Sequence, residues 1–67
     1  MSLGSKIKML RVARSWTQQE LAQRACVRAA LVSRLEAEKQ ADTVGSILAR
    51  LAVTLGVSTD FFTFHRF

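Results

Sequence analysis

Proline is missing from this 67-residue chain, glycine occurs three times, and cysteine and histidine once each. One cysteine cannot close an internal disulfide, and Cys26 with His65 falls short of the four ligands of a structural zinc site, so neither metal nor cofactor is expected. His65 stands near the chain end and no serine lies beside a plausible base, so the nucleophile–base pair of an enzyme is missing. Nor is there a G-x-x-x-x-G-K pattern to cradle phosphates. No run of ~20 apolar residues is present to cross a bilayer. Charges interrupt Met1–Arg14 where the apolar stretch of a signal peptide would lie, so a cytoplasmic location is expected. With few β-branched runs and no apolar/polar alternation of useful length, short helices joined by tight turns remain as the architecture. Residues 1–5 are given little functional weight.

What the chain does have is enough apolar material to fold, 49% against 22% charged residues, which is too hydrophobic for intrinsic disorder. Its length fits one small domain over 1–67; such a chain buries roughly 60% of its unfolded surface, leaving no room for a cleft between lobes. The net charge of +5 is uneven. Residues 1–34 carry seven Lys or Arg against Glu20 alone, a net +6, whereas residues 35–67 carry three against four, a net −1. One basic face meeting a polyanion, nucleic acid or an anionic membrane, is implied. A membrane-surface role is the weaker choice, because the apolar face of the basic first helix is needed for the core.

Leu3, Ile7, Leu10 and Ala13 recur at helical spacing between Lys6, Lys8, Arg11 and Arg14, giving an amphipathic helix over about 3–14. Thr17-Gln18-Gln19-Glu20 is a capping box that starts a second helix over 18–25, with Trp16 stapled onto Leu21. Leu21, Ala22 and Ala25 should face inward. Leu31, Val32 and Leu35 mark a third helix over 29–36. The few residues between the second and third force them to cross steeply, the geometry of a helix-turn-helix, with Val27 buried in the turn. Asp42 or Thr43 is expected to cap a fourth helix over 44–55 with an apolar stripe of Val44, Ile47, Leu48, Leu51, Ala52 and Leu55, closed by Gly56. Ser58 or Thr59 then starts a short helix over 59–64, whose Phe61 or Phe62 finishes the core.

Thr17-Gln18-x-Glu20-Leu21-Ala22, Val27, Val32-Ser33-Arg34-Leu35-Glu36, Leu51-Ala52 and Leu55-Gly56-Val57-Ser58 together resemble the lambda-repressor-like helix-turn-helix domains, the Cro and xenobiotic-response-element group. The resemblance covers roughly residues 3–62. It implies an all-α, five-helix domain whose third helix enters the major groove of double-stranded DNA, usually as a dimer on a two-fold operator. A sequence-specific transcriptional regulator follows, in the role of a repressor in a prokaryote or phage, nucleoid-associated.

Carried over by position, Gln18 meets a phosphate and braces the recognition helix; the free amides of a helix N-terminus favour the same anion. Arg28, Ala29, Ala30, Leu31, Ser33 and Arg34 fall on the turn and recognition surface, and Lys39 just beyond it. Arg28 replaces the usual Ser or Thr cap, at roughly 1 kcal/mol. Alanine methyls at Ala29 and Ala30 reach only a thymine methyl, so base readout rests on Arg34, which can donate a bidentate pair to guanine worth ~1–3 kcal/mol of discrimination. Arg11 and Glu36 match a pair that bridges the first and third helices in the family. Cys26 and Glu38 stand where glycines are common. Cys26 therefore either avoids positive φ or carries strain of about 1 kcal/mol, and Glu38 places a negative charge where relatives track phosphates.

The DNA-facing charge is expected to narrow to Arg28, Arg34 and Lys39, joined by Arg14 or a lysine of the first helix. Phe64 and Phe67 are expected in a homodimer patch, because exposed aromatic clusters are uncommon on monomers. No small-molecule ligand is evident. The alternative reading is a protein-interaction module that uses the apolar face Ala29-Ala30-Leu31, with weak or no DNA binding, since fold alone does not select the partner.

Overall fold

A computed structural model describes residues 2–63, with the backbone alone at Thr63. The described residues form five helices and no strand: α1 (Leu3–Ala13), α2 (Gln18–Ala25), α3 (Ala29–Glu36), α4 (Gly45–Leu55) and α5 (Thr59–Thr63). Their packing follows from the apolar positions. Ile7 of α1, Leu21 of α2, Val32 and Leu35 of α3, and Leu51 and Leu55 of α4 are fully buried in one cluster, with Phe62 of α5 closing it. Phe62 is the inward phenylalanine of its helix, and Phe61 is 38% exposed.

Two apolar positions depart from the periodicity. Ala13 is exposed at the end of α1, because a three-residue step from Leu10 falls about 60° short of a full turn and carries it off the buried face. Val44 is 60% exposed because it is the N-cap of α4 and stands half outside the helix. Neither Asp42 nor Thr43 caps α4. The Asp42 Oδ1 instead accepts the neighbouring Thr43 amide at 2.8 Å, and the α4 N-cap has no side-chain hydrogen bond.

α1 is capped from within the first five residues, by Ser2. The Ser2 Oγ accepts the Ser5 amide at 3.2 Å, and both serine hydroxyls donate to Glu38 Oε2, from Ser2 at 3.0 Å and from Ser5 at 3.4 Å. Glu38 thus brings to the N-terminus of α1 the negative charge that its own first turn lacks. Gly4, one residue into α1, lets this helix lie directly on the exit of α3. A Cβ at position 4 would stand 1.9 Å from the Leu35 carbonyl oxygen.

Four helix exits share one construction. The amides of Trp16, Val27, Lys39 and Val57 donate back to the carbonyls of Arg11, Ala22, Arg34 and Ala52, the long-range bond of a Schellman motif. The residue just before each of these amides is left-handed: Ser15 at φ 60°, Cys26 at 58°, Glu38 at 60° and Gly56 at 75°. Cys26 does not avoid positive φ. Only one of the four exits uses glycine, so the three others carry the Cβ strain that glycine would relieve.

Candidate nucleic-acid interface

The geometry of α3 is set at both ends. Its N-cap, Arg28, makes no side-chain cap bond, so the turn before it is held from elsewhere: Arg50 of α4 donates to the Cys26 carbonyl at 3.2 Å. At the far end, Arg11 Nε and Nη2 donate to the two oxygens of Glu36 at 2.7 and 2.9 Å. The third guanidinium nitrogen reaches the Trp16 carbonyl at 2.7 Å. Gln18 Nε2 donates to Glu36 Oε1 at 3.1 Å. The Glu36 side chain is 3% exposed and that of Arg11 13%, so this network ties α1, the start of α2 and α3 together away from solvent. The hydrogen bond to Glu36 raises the Arg11 pKa above its ordinary value, opposed by burial and aided by the attraction of the same carboxylate. No buried side-chain nitrogen or oxygen among the described residues lacks a partner.

α2 starts with both halves of its capping box in place: Glu20 N donates to Thr17 Oγ1 at 3.0 Å, and Thr17 N donates to Glu20 Oε1 at 2.7 Å. The amides of Gln18 and Gln19, the first two of the helix, are outside that exchange. The half-buried Gln18 side chain beside them faces a hollow of about 230 Å³ that it shares with Lys8, Ser33 and the Arg11–Glu36 pair.

Between its two ends α3 exposes Ala29, Ala30, Ser33 and Arg34, with Leu31 half-buried at the edge. The hollow carrying Gln18 and Ser33 runs along one flank. Along the other lies a groove of about 420 Å³ lined by Arg28, Ala30, Leu31 and Arg34 of the helix-turn-helix together with Ile47 and Arg50 of α4. Lys39 is exposed on the loop after α3 and lines neither hollow. Phe64 and Phe67 lie outside the described residues.

The basic residues divide differently from their reading in sequence. Lys6 is not on the outer face of α1: it is 8% exposed, its Nζ donates to the Phe61 carbonyl at 2.8 Å and lies 5.2 Å from that ring's centre. It fastens α1 to α5. Arg14 is likewise engaged, donating to the carbonyls of Leu10, at 2.9 Å, and Leu55 at the end of α4. There it satisfies an orphan carbonyl and complements the negative end of the helix dipole. Arg24 lies 4.5 Å over the Trp16 ring, a cation–π contact. The glutamate expected among phosphate contacts, Glu38, is turned toward Ser2 and Ser5. Arg50 has no sequence signature, being a lone arginine among the apolar positions of its helix; its place beside the turn is created by the crossing of α4 over the helix-turn-helix.

This arrangement, two helices joined by a tight turn with the second presented outward on a three-helix scaffold, defines a class. Residues 7–62 match the helix-turn-helix family, and the chain belongs to it, in the lambda-repressor-like group of DNA-binding transcription regulators. The fold is similar to that of SinR, a master regulator for biofilm formation, in its crystal structure in complex with DNA: TM-score 0.86 and 26% identity, over 91% of this chain and 97% of that one. Comparison with curated proteins gave no match. Among the described residues no helix is long and apolar enough to cross a membrane, and no group of three His, Cys, Asp or Glu could hold a metal ion.

Proposed function

We propose that this chain is a sequence-specific regulator that acts as a repressor, placing α3 in the major groove of double-stranded DNA as a homodimer on a two-fold site. The observation that carries this reading is the exposed face of α3, kept clear of the rest of the protein while Arg11, Gln18 and Glu36 fix the helix beneath it. A helix so held can enter a groove ≈ 12 Å wide without first being ordered. Its likeness to SinR, solved with DNA, supports the same use of the fold.

Within this reading Arg34 reads guanine, Ala29 and Ala30 admit a thymine methyl, and Leu31 borders the apolar contact. Ser33, Arg28 and Lys39 serve the backbone or base edges. Gln18 and the amides beside it hold one phosphate. Selection of bound sequences from a random duplex library tests all of this together: an enriched, two-fold symmetric site with a guanine that loses its enrichment in Arg34→Gln is expected. A failure to enrich any sequence, with a salt dependence near zero, would replace DNA by a protein partner on the same α3 face.

A further inference from the structure

A helix lying in the major groove has a phosphate backbone on each side of it, and α3 has a donor-bearing hollow on each side. One holds Gln18, Lys8 and Ser33. The other holds three arginines, Arg28 and Arg34 from the helix-turn-helix and Arg50 from α4, and no carboxylate lines it. The side chains of Arg28 and Arg34 make no hydrogen bond or ion pair among the described residues. Arg50 is exposed and uses one nitrogen, Nη1, on the Cys26 carbonyl. A guanidinium carries five N–H donors, so that contact orients Arg50 and leaves most of its donors free. Cations of one sign gathered along a groove with an apolar wall raise the local field for an anion.

We infer that Arg50 binds a backbone phosphate on the strand opposite the one met by Gln18, so that α4 is part of the DNA interface. This rests on the reading of α3 as the major-groove helix. The tie to Cys26 orients the guanidinium beside the groove that Arg28 and Arg34 also line. Arg50 is a backbone contact, which fixes register without carrying sequence information. Its loss should weaken all duplexes alike, whereas loss of Arg34 should alter which duplex is preferred.

The experiment is duplex binding by fluorescence anisotropy across a salt series, for the full chain, R50Q and R50K. Loss of one phosphate contact lowers the slope of log K against log salt by about 0.9, so the wild-type advantage over R50Q should shrink roughly 3.5-fold between 50 and 200 mM salt. R50K should keep the wild-type slope, and the ranking of sequences should be unchanged in both variants. Salt-dependent binding whose slope R50Q leaves untouched would overturn the role of Arg50 alone; absence of salt-dependent binding by the wild-type chain would remove the proposed function itself. Should R50Q fail to fold, phosphate ethylation interference on the wild-type complex decides: blocked phosphates on both strands flanking the α3 contact are expected, and interference on the Gln18 side only would overturn the inference.

Discussion

Glu36 accepts hydrogen bonds from Arg11 Nε, Arg11 Nη2 and Gln18 Nε2 with its side chain 3% exposed, so removing it leaves a guanidinium without its counter-charge at a three-helix junction. Breaking one side of such a pair costs far more than the intact pair contributes. Glu36→Ala should lower stability by about 3 kcal/mol, against a much smaller effect for Glu38→Ala, whose carboxylate bonds two exposed hydroxyls. Thermal or urea unfolding of both variants checks this; equal midpoints would contradict the structural role. Gln18 also changes meaning at this scale. Its amide donates to Glu36 as well as standing at the start of α2, so on the proposed function Gln18→Ala should weaken duplex binding in an anisotropy titration through loosened α3 placement as well as through loss of the proposed phosphate contact.

At the scale of the elements, the helices are ended by one motif used four times, three of them with a non-glycine residue at positive φ. The shortage of glycine in the composition is therefore a source of strain. Cys26→Gly should raise stability by about 1 kcal/mol, corresponding to roughly 4–8 °C in midpoint for a domain of this size. No rise in a melting experiment would mean that the Arg50 bond to the Cys26 carbonyl already offsets the strain. The opposite substitution at the α1–α3 crossing has the opposite sign. Gly4→Ala places a methyl against the Leu35 carbonyl oxygen, a backbone atom that yields only if the helices separate, and should destabilise by roughly 2–3 kcal/mol. A midpoint unchanged from wild type would show that α1 can shift without loss.

For the whole molecule, the net charge of +5 describes less of the interface than its size implies. Lys6, Arg11, Arg14 and Arg24 are engaged within the fold, while Lys8, Arg28, Arg34 and Arg50 line the two flanks of α3 and Lys39 is exposed on the loop after it. On the proposed function, so few phosphate contacts per copy would give a modest grip, which two copies on one operator would multiply. Sedimentation of the full chain and of a version ending at Phe62 checks the proposed dimer patch at Phe64 and Phe67: concentration-dependent mass is expected for the full chain and a monomer for the shorter one. Equal mass at every concentration would remove that patch.

The helices were legible in the sequence because their signals are local. Apolar spacing, the Thr17–Glu20 box and Gly56 act within a turn or two of the chain, and Glu36 could be paired with Arg11 through the resemblance of the surrounding motif. The uses of Lys6, Arg14, Glu38 and Arg50 were not legible, since each depends on a carbonyl or hydroxyl far away in the chain: Phe61, Leu55, Ser2 and Cys26. Periodicity and charge along the chain specify which stretches are helical, how many there are and that the chain is basic. Which of those charges still face outward is set by helix packing, because a long cationic side chain either reaches an unpaired carbonyl of a neighbouring helix or stays in water according to how the helices cross.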